Sequence, residues 1–291
     1  MSDKAPAWVV PVMRAGYAAR AAVYLIVGGL AVVAAWQGGQ AEGTTDALAQ
    51  LRGVPWGLAA LWVIAVGLVC YAVWRLIDAA LDLDNYGNDA KGVMARIGLV
   101  VTGLIHAAIG VSVGRLAMGS GNGSGGSGGG GGAESATQQL MQMPYGPWIV
   151  VGVGLATIGA GVYYVIKGVQ ERYKEYIRVT PTASRLDPVM KFGCIAEGIV
   201  VGIIGATIVV AGLTTDPQQA GGVGEALDQV RSVAYGRILL GVLALGLIGF
   251  AVENAVEAIY RIVPRRSGED VMTLARRARL KAEGKLHDTV S

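Results

Sequence analysis

Polar and apolar residues along this chain separate into long blocks. Within the blocks they do not alternate. Six apolar blocks run Tyr17 to Trp36, Trp56 to Leu76, Ile97 to Gly114, Trp148 to Ile166, Phe192 to Leu213 and Ile238 to Ile259. Each approaches the roughly 20 residues that a helix needs to cross a hydrocarbon layer about 30 Å thick. Backbone groups in lipid must be satisfied within their own segment, and a barrel would need the alternating polarity that this sequence lacks. The pattern therefore predicts an all-α integral membrane protein with six transmembrane helices. Trp36, Trp56, Tyr145, Trp148 and Tyr235 bracket the blocks on one side, and Trp8, Tyr17, Trp74, Tyr173 and Tyr260 on the other, as interfacial belts do.

Composition strengthens this reading. Hydrophobic residues make up 53% of the chain and charged ones 15%, and the mean hydropathy is +0.50, which argues against a soluble domain. The 45 glycines sit mostly inside the apolar blocks without a Gly-X-Y period, where small residues let helices approach closely. A net charge of +3 with no clustered basic face excludes nucleic acid as a partner. Cys70 and Cys194 each lie in an apolar block with no second ligand beside them, so no disulfide, metal or cofactor is expected. The opening Met-Ser-Asp-Lys has no small-residue cleavage site behind a short apolar core, so the first block reads as a retained anchor.

Orientation follows from the basic residues. Of 24 Lys and Arg, the loops joining blocks 1 to 2, 3 to 4 and 5 to 6 hold only Arg52, Arg115, Arg231 and Arg237. The positive-inside rule then places both termini in the cytoplasm.

Internal repetition is the strongest single signal. Arg14-x-Gly16, Arg96-x-Gly98 and Lys191-x-Gly193 open blocks 1, 3 and 5, and the same register aligns Gly28, Gly110 and Gly205. Blocks 2, 4 and 6 open on an aromatic-Gly step, Trp56-Gly57, Tyr145-Gly146 and Tyr235-Gly236, each with a glutamine seven residues before the glycine. The chain divides into a cytoplasmic segment 1–13, hairpin repeat 1 over 14–80, a cytoplasmic loop 81–93 and repeat 2 over 94–170 with a Gly/Ser-rich outer loop 119–135. A connector 171–188, repeat 3 over 189–262 and a basic cytoplasmic tail 263–291 complete it. The result is three pseudo-symmetric two-helix hairpins. Short amphipathic turns around Ala47 to Leu51 and Ala226 to Val230 are expected at the outer interface.

The tandem Arg-x-Gly, the Tyr24-x-x-x-Gly28 step and an Ala-Leu-x-x-Leu before the aromatic-Gly step resemble a bacterial membrane family known as domain of unknown function 1206. The similarity covers residues 10 to 262 and implies three such hairpins in one inner-membrane protein. It implies no activity. Repeat 3 departs from the pattern, with Lys191, Glu197 and Val201 where repeat 1 has Arg14, Arg20 and Tyr24.

Ionisable residues inside the blocks are the candidate chemistry, because a charge at a helix centre costs about 2.5–3.5 kcal/mol on insertion scales. The repeat register superposes Arg20, Thr102 and Glu197, then Tyr24, His106 and Val201. On the return helices it superposes Trp74, Tyr163 and Glu253, then Arg75, Tyr164 and Asn254. All fall in one layer roughly 5–12 Å inside the cytoplasmic boundary. Two cations from repeat 1 face two anions from repeat 3, with a neutral set from repeat 2. The expectation is that Arg20 and Arg75 pair with Glu197 and Glu253 between repeats. Arg20, Arg75, Thr102, His106, Tyr163, Tyr164, Glu197, Glu253 and Asn254 form this polar layer, structural or solute-binding. His106 is the one histidine inside a block, so bis-histidine haem is excluded, while a proton-relay role stays open.

A small-residue stripe, Cys194, Gly198, Gly202 and Ala206, predicts close packing within the chain. Asp82-x-Asp84-x-Tyr86-Gly87 has part of a calcium-loop spacing, but Val93 stands where the bidentate Glu is needed, so it reads as a polar turn. The tail from Glu269 to Lys285 has an amphipathic basic pattern suited to anionic lipid, to a partner or to a merely solvated tail. No Ser/His/Asp set, metal cluster or phosphate loop gives an enzyme a mechanism. The sequence points to a non-enzymatic inner-membrane protein, structural or accessory, in contact with the bilayer and with a membrane-protein partner or a second copy. The competing reading is a small transporter or channel using the polar layer.

Overall fold

The computed structural model describes residues 6–39, 41–119, 131–263, 273 and 276. In chain order its helices are α1 (Val9–Gln37), α2 (Thr44–Ala49), α3 (Gly57–Leu81), α4 (Ala90–Ala117), α5 (Gly131–Met141), α6 (Gly146–Val169), α7 (Pro181–Thr214), α8 (Val223–Ser232) and α9 (Gly236–Tyr260). Six of them, α1, α3, α4, α6, α7 and α9, are long and apolar enough to cross a membrane. They pair as three two-helix repeats, α1 with α3, α4 with α6 and α7 with α9. The short helices α2, α5 and α8 precede each return helix. Most of the amphipathic tail reading falls outside the described residues.

Local chemistry accounts for the helix ends. Gly57, Gly146 and Gly236 open the return helices because a Cβ there would overlap the backbone carbonyls of Leu51, Leu140 and Arg231. Tyr145 and Tyr235, just before two of these glycines, adopt left-handed φ of 61°, the tight corner that the aromatic-Gly step marks in the sequence. Asp89 caps α4 by accepting from the Gly92 N–H at 2.9 Å. At α7 the Thr180 hydroxyl accepts from the Ala183 N–H at 3.1 Å, and Pro181 follows it. This capping pair starts the helix inside the stretch 171–188 read as connector, and Pro188 lies within the helix. Likewise α1 begins at Val9 and α5 at Gly131, inside the segments read as 1–13 and 119–135.

Packing between repeats follows one rule. Each outgoing helix lies against the return helix of another repeat, α1 on α9, α4 on α3 and α7 on α6. Equivalent glycines make all three contacts. A Cβ added to Gly28, Gly110 or Gly205 would sit 3.1, 3.1 and 2.9 Å from the carbonyl oxygens of Ala244, Ala65 and Gly154. The first basic residue of each repeat also works across its seam. Arg14 donates to the Ile259 carbonyl at 3.5 Å and Arg96 to the Ala80 carbonyl at 3.2 Å. Lys191 meets Glu171 at 3.1 Å. A cation at a helix C-terminus satisfies orphan carbonyls and the helix dipole together. The stripe of small residues is an intrachain seam, since a Cβ on Gly161 would fall 2.7 Å from the Gly198 carbonyl and the Gly202 nitrogen.

Packing within repeats is not uniform. In repeat 1, Gly16 rests on the backbone of Tyr71 and Gly67 on Ala19; in repeat 3, Gly193 rests on the backbone of Phe250 and Gly246 on Ala196. In repeat 2 the helices α4 and α6 hardly touch. Gly98, equivalent to Gly16 and Gly193, has nothing within 4 Å of an added Cβ. The residues explain the splay: where the other repeats place Ala19 with Gly67 and Ala196 with Gly246, repeat 2 places Val101 and Ala156. The extra methyl groups remove the close approach that holds the other two hairpins shut. The six helices thus run in contact order α4, α3, α1, α9, α7, α6, with one seam left open between the first and the last.

Candidate functional site

Ionisable side chains gather at the end of the bundle that carries residues 9 and 260, in two distinct arrangements. The first is a closed set of ion pairs. Lys167 on α6 reaches Glu253 of α9 at 2.6 Å and Glu257, one turn on, at 3.6 Å. Arg261, just past α9, meets Asp84 at 2.5 Å and Glu257 at 3.0 Å, and its guanidinium lies over the rings of Tyr17 and Tyr176. Arg75 donates to the hydroxyls of Tyr71 and Tyr17 at 2.8 and 3.0 Å, and its carboxylate neighbour is Asp78 at 3.8 Å. Mutual pairing of this kind offsets the cost of taking charges out of water.

The second arrangement surrounds Arg20, which is 3% exposed. Its Nη1 donates to the Tyr71 hydroxyl at 2.8 Å, and the guanidinium carbon lies 5.5, 4.6 and 5.4 Å from the ring centres of Tyr24, Tyr71 and Phe250. This is an aromatic cage, favourable for a desolvated cation. Among the described residues no carboxylate lies within ion-pair distance of Arg20, and its Nε has no hydrogen-bond partner. Glu197, 5% exposed, likewise has no ion pair among them. One of its oxygens accepts from the Tyr24 hydroxyl at 2.6 Å. Tyr24 therefore stands between an unpaired cation and an unpaired carboxylate.

Repeat 2 borders this centre from both sides of the open seam. On α4 the His106 ring packs on Tyr71 at 4.7 Å. Its Nδ1 donates to the Thr102 carbonyl at 2.8 Å, which leaves Nε2 as an acceptor. On α6 the Tyr164 ring meets Phe250 edge-on at 5.6 Å.

The expected pairing of Arg20 and Arg75 with Glu197 and Glu253 is therefore replaced by a different one. The cation for Glu253 comes from repeat 2 as Lys167, so that repeat is not neutral. Arg75 is held by tyrosines and Asp78, and Arg20 by aromatic faces. Thr102 donates to the Gly98 carbonyl of its own helix, Tyr163 is half-exposed beside Tyr164, and Asn254 donates to the Phe250 carbonyl with its own oxygen unpartnered. Sequence reasoning missed Lys167, Glu257, Asp78, Asp84, Arg261 and the cage residues Tyr71 and Phe250. A signal existed: Asp78, Lys167 and Glu257 superpose three residues beyond Arg75, Tyr164 and Asn254. Asp84 and Asp82, in the calcium-like spacing, serve an ion pair and a turn, Asp82 accepting from the N–H groups of Tyr86 and Gly87.

Outside the spans a smaller network ties the connector to α7. Lys174 reaches Asp187 at 2.7 Å and Glu171 at 2.5 Å. The hydrogen bond from Lys174 holds the Glu171 carboxyl below the usual carboxylate range against the opposing effect of burial, with a smaller contribution from Lys191. Burial opposes the charge of Lys174, but its bonds to Asp187 and Glu171 outweigh it and raise its pKa.

Comparison with known proteins fits this repeat geometry. Over 264 residues the chain is 27% identical to the "Uncharacterized protein YxxB" of Bacillus subtilis (strain 168), covering 87% of this chain and 92% of that protein. No solved structure matches. The family described as Domain of Unknown Function (DUF1206) matches three times, over residues 15–82, 97–171 and 192–261. Each match spans one outgoing and one return helix, and on that evidence the chain belongs to this family of tandem membrane repeats.

Proposed function

We propose that this protein is a non-enzymatic component of the bacterial inner membrane, structural or accessory, with both termini cytoplasmic and its repeats arranged about a pseudo-threefold axis. The observation that supports this reading is the closed ion-pair set. Lys167 of one repeat joined to Glu253 and Glu257 of another is what a device for fixing interrepeat geometry requires, since each charge is neutralised where it stands. Orientation rests on the basic residues of the short connections. Replacing Glu253 by Gln tests it: the expected result is lost thermal stability in mild detergent, because Lys167 loses its nearest partner. Unchanged stability would end the structural role. Co-purification of a stoichiometric membrane protein or a second copy from native membranes would identify what the component serves.

A second reading, a small transporter or channel for a proton, ion or solute, is favoured by one feature, the unpaired Arg20 and Glu197 beside an open seam. Under that reading Glu197→Gln abolishes flux in vesicles while the protein keeps its thermal stability.

A further inference from the structure

The open seam and the unpaired centre meet at one place. Gly16 and Gly193 carry the backbones of Tyr71 and Phe250 in the closed repeats, and Gly98, their equivalent, faces empty space. On α6, Gly159 also has nothing within 4 Å of an added Cβ. Both helices are membrane spans, so the gap between them opens towards lipid. It is flanked by exposed apolar side chains, Val101, Leu104 and Ile105 on α4 and Leu155 and Val162 on α6. On these two helices His106 packs on Tyr71 and Tyr164 on Phe250, the two rings that flank the Arg20 guanidinium.

The charges there are complementary to a ligand bearing both signs. Arg20 is a buried guanidinium with no ion pair among the described residues and an Nε that lacks a hydrogen-bond partner. Glu197 is a buried carboxylate that accepts only a phenol. Both groups contact Tyr24, and a ligand bearing both signs gives each a direct ionic partner. We propose that the cleft between α4 and α6 is a binding site for a zwitterionic phospholipid of the phosphatidylethanolamine type. Its phosphate sits on Arg20, its ammonium on Glu197, and its acyl chains lie along the exposed faces of α4 and α6. Arginine suits a phosphate through its fork of donors, and a primary ammonium supplies the hydrogen bonds that a carboxylate accepts. His106 Nε2 offers the ammonium a second acceptor at the entrance. The site goes beyond the structural role proposed above, which rests on Lys167 and α9 instead.

The test is lipid binding to the full chain in detergent micelles, read by native mass spectrometry with dioleoylphosphatidylethanolamine, dioleoylphosphatidylglycerol and soluble phosphoethanolamine as probes. The expected result is one tightly held phosphatidylethanolamine, preferred over phosphatidylglycerol. Arg20→Gln weakens both lipids about tenfold, the scale of one lost charge-assisted contact. Glu197→Gln removes the preference between them. Gly98→Leu fills the cleft without touching either charge and lowers phosphatidylethanolamine binding at unchanged thermal stability, so the proposal remains testable if an Arg20 variant does not fold. Equal binding of both lipids by the wild type, or undiminished binding in Gly98→Leu, would overturn it. Displacement of the lipid by phosphoethanolamine alone at similar concentration would overturn the membrane-side site in favour of a soluble ligand. Loss of stability in Glu253→Gln has no bearing on these readings, so the two proposals fail separately.

Discussion

Repeats 1 and 3 are shut hairpins, and repeat 2 is a hairpin held apart. The difference comes from a handful of side chains. Repeats 1 and 3 put Gly67 on Ala19 and Gly246 on Ala196, and seat Gly16 and Gly193 against the backbones of Tyr71 and Phe250. Repeat 2 keeps the glycine at 98 but carries Val101 and Ala156 at the paired positions and Ala160 where the others have Tyr71 and Phe250. Its two helices are held by neighbours instead, α4 by α3 and α6 by α7. In a membrane, where lipid tails are as apolar as any side chain, helices stay together through close packing and polar contacts. Removing the close packing at one of six seams therefore opens that seam and leaves the rest intact.

The largest expected effect tests how α6 is held. Lys167→Met leaves Glu253 and Glu257 buried with less compensation and should cost about 3–5 kcal/mol, the usual scale for breaking a buried pair, seen as a fall in midpoint of thermal unfolding. A loss no larger than that of an exposed substitution would show that α6 is held by packing on α7 alone. Next come the equivalent glycines. Leu at Gly16 or Gly193 drives a side chain into the facing backbone and should destabilise by about 1–3 kcal/mol or more. The same change at Gly98 should stay within about 0.5 kcal/mol. Equal losses at all three positions would mean that repeat 2 is closed like the others.

A gentler change sharpens the cause of the splay. Val101→Ala with Ala156→Gly gives repeat 2 the small pair of its neighbours, and spin labels at Ser112 and Gly152 on the two helices should then report a shorter separation. An unchanged distance would move the explanation from residue volume to the longer outer connection. The smallest effect lies outside the spans. The Glu171 carboxyl is held low by Lys174 and Lys191, so its contribution is present above the ordinary carboxylate range and is lost as pH falls through the depressed folded value. Stability should decline on acidification below about pH 4, and Glu171→Gln should flatten that part of the profile.

Much of this arrangement is written in the chain, and the omissions have a common origin. The spans are legible because their length and polarity are local properties. The repeat register is legible because Arg-x-Gly and aromatic-Gly steps recur, and it correctly superposes Gly28, Gly110 and Gly205, which make the same contact three times. Lys167 is not legible as a site residue because it lies at the end of its block, where a lysine reads as an interfacial anchor, and Arg261 because it lies beyond the last one. Formal charges summed by repeat suggested that Arg20 and Arg75 would meet Glu197 and Glu253. The sum ignores competition from aromatic rings, and Tyr71 takes hydrogen bonds from both arginines.

The amino-acid sequence by itself determined six membrane-crossing helices, three related helix pairs and a belt of ionisable groups near one end, since each follows from hydrophobicity and spacing along the chain. Only the tertiary structure decided which charges are neutralised, that Arg20 and Glu197 have no ion pair among the described residues and which seam stays open. Those outcomes depend on which helices become neighbours and on the distance between their backbones. A methyl group more or less at residues far apart in sequence sets that distance.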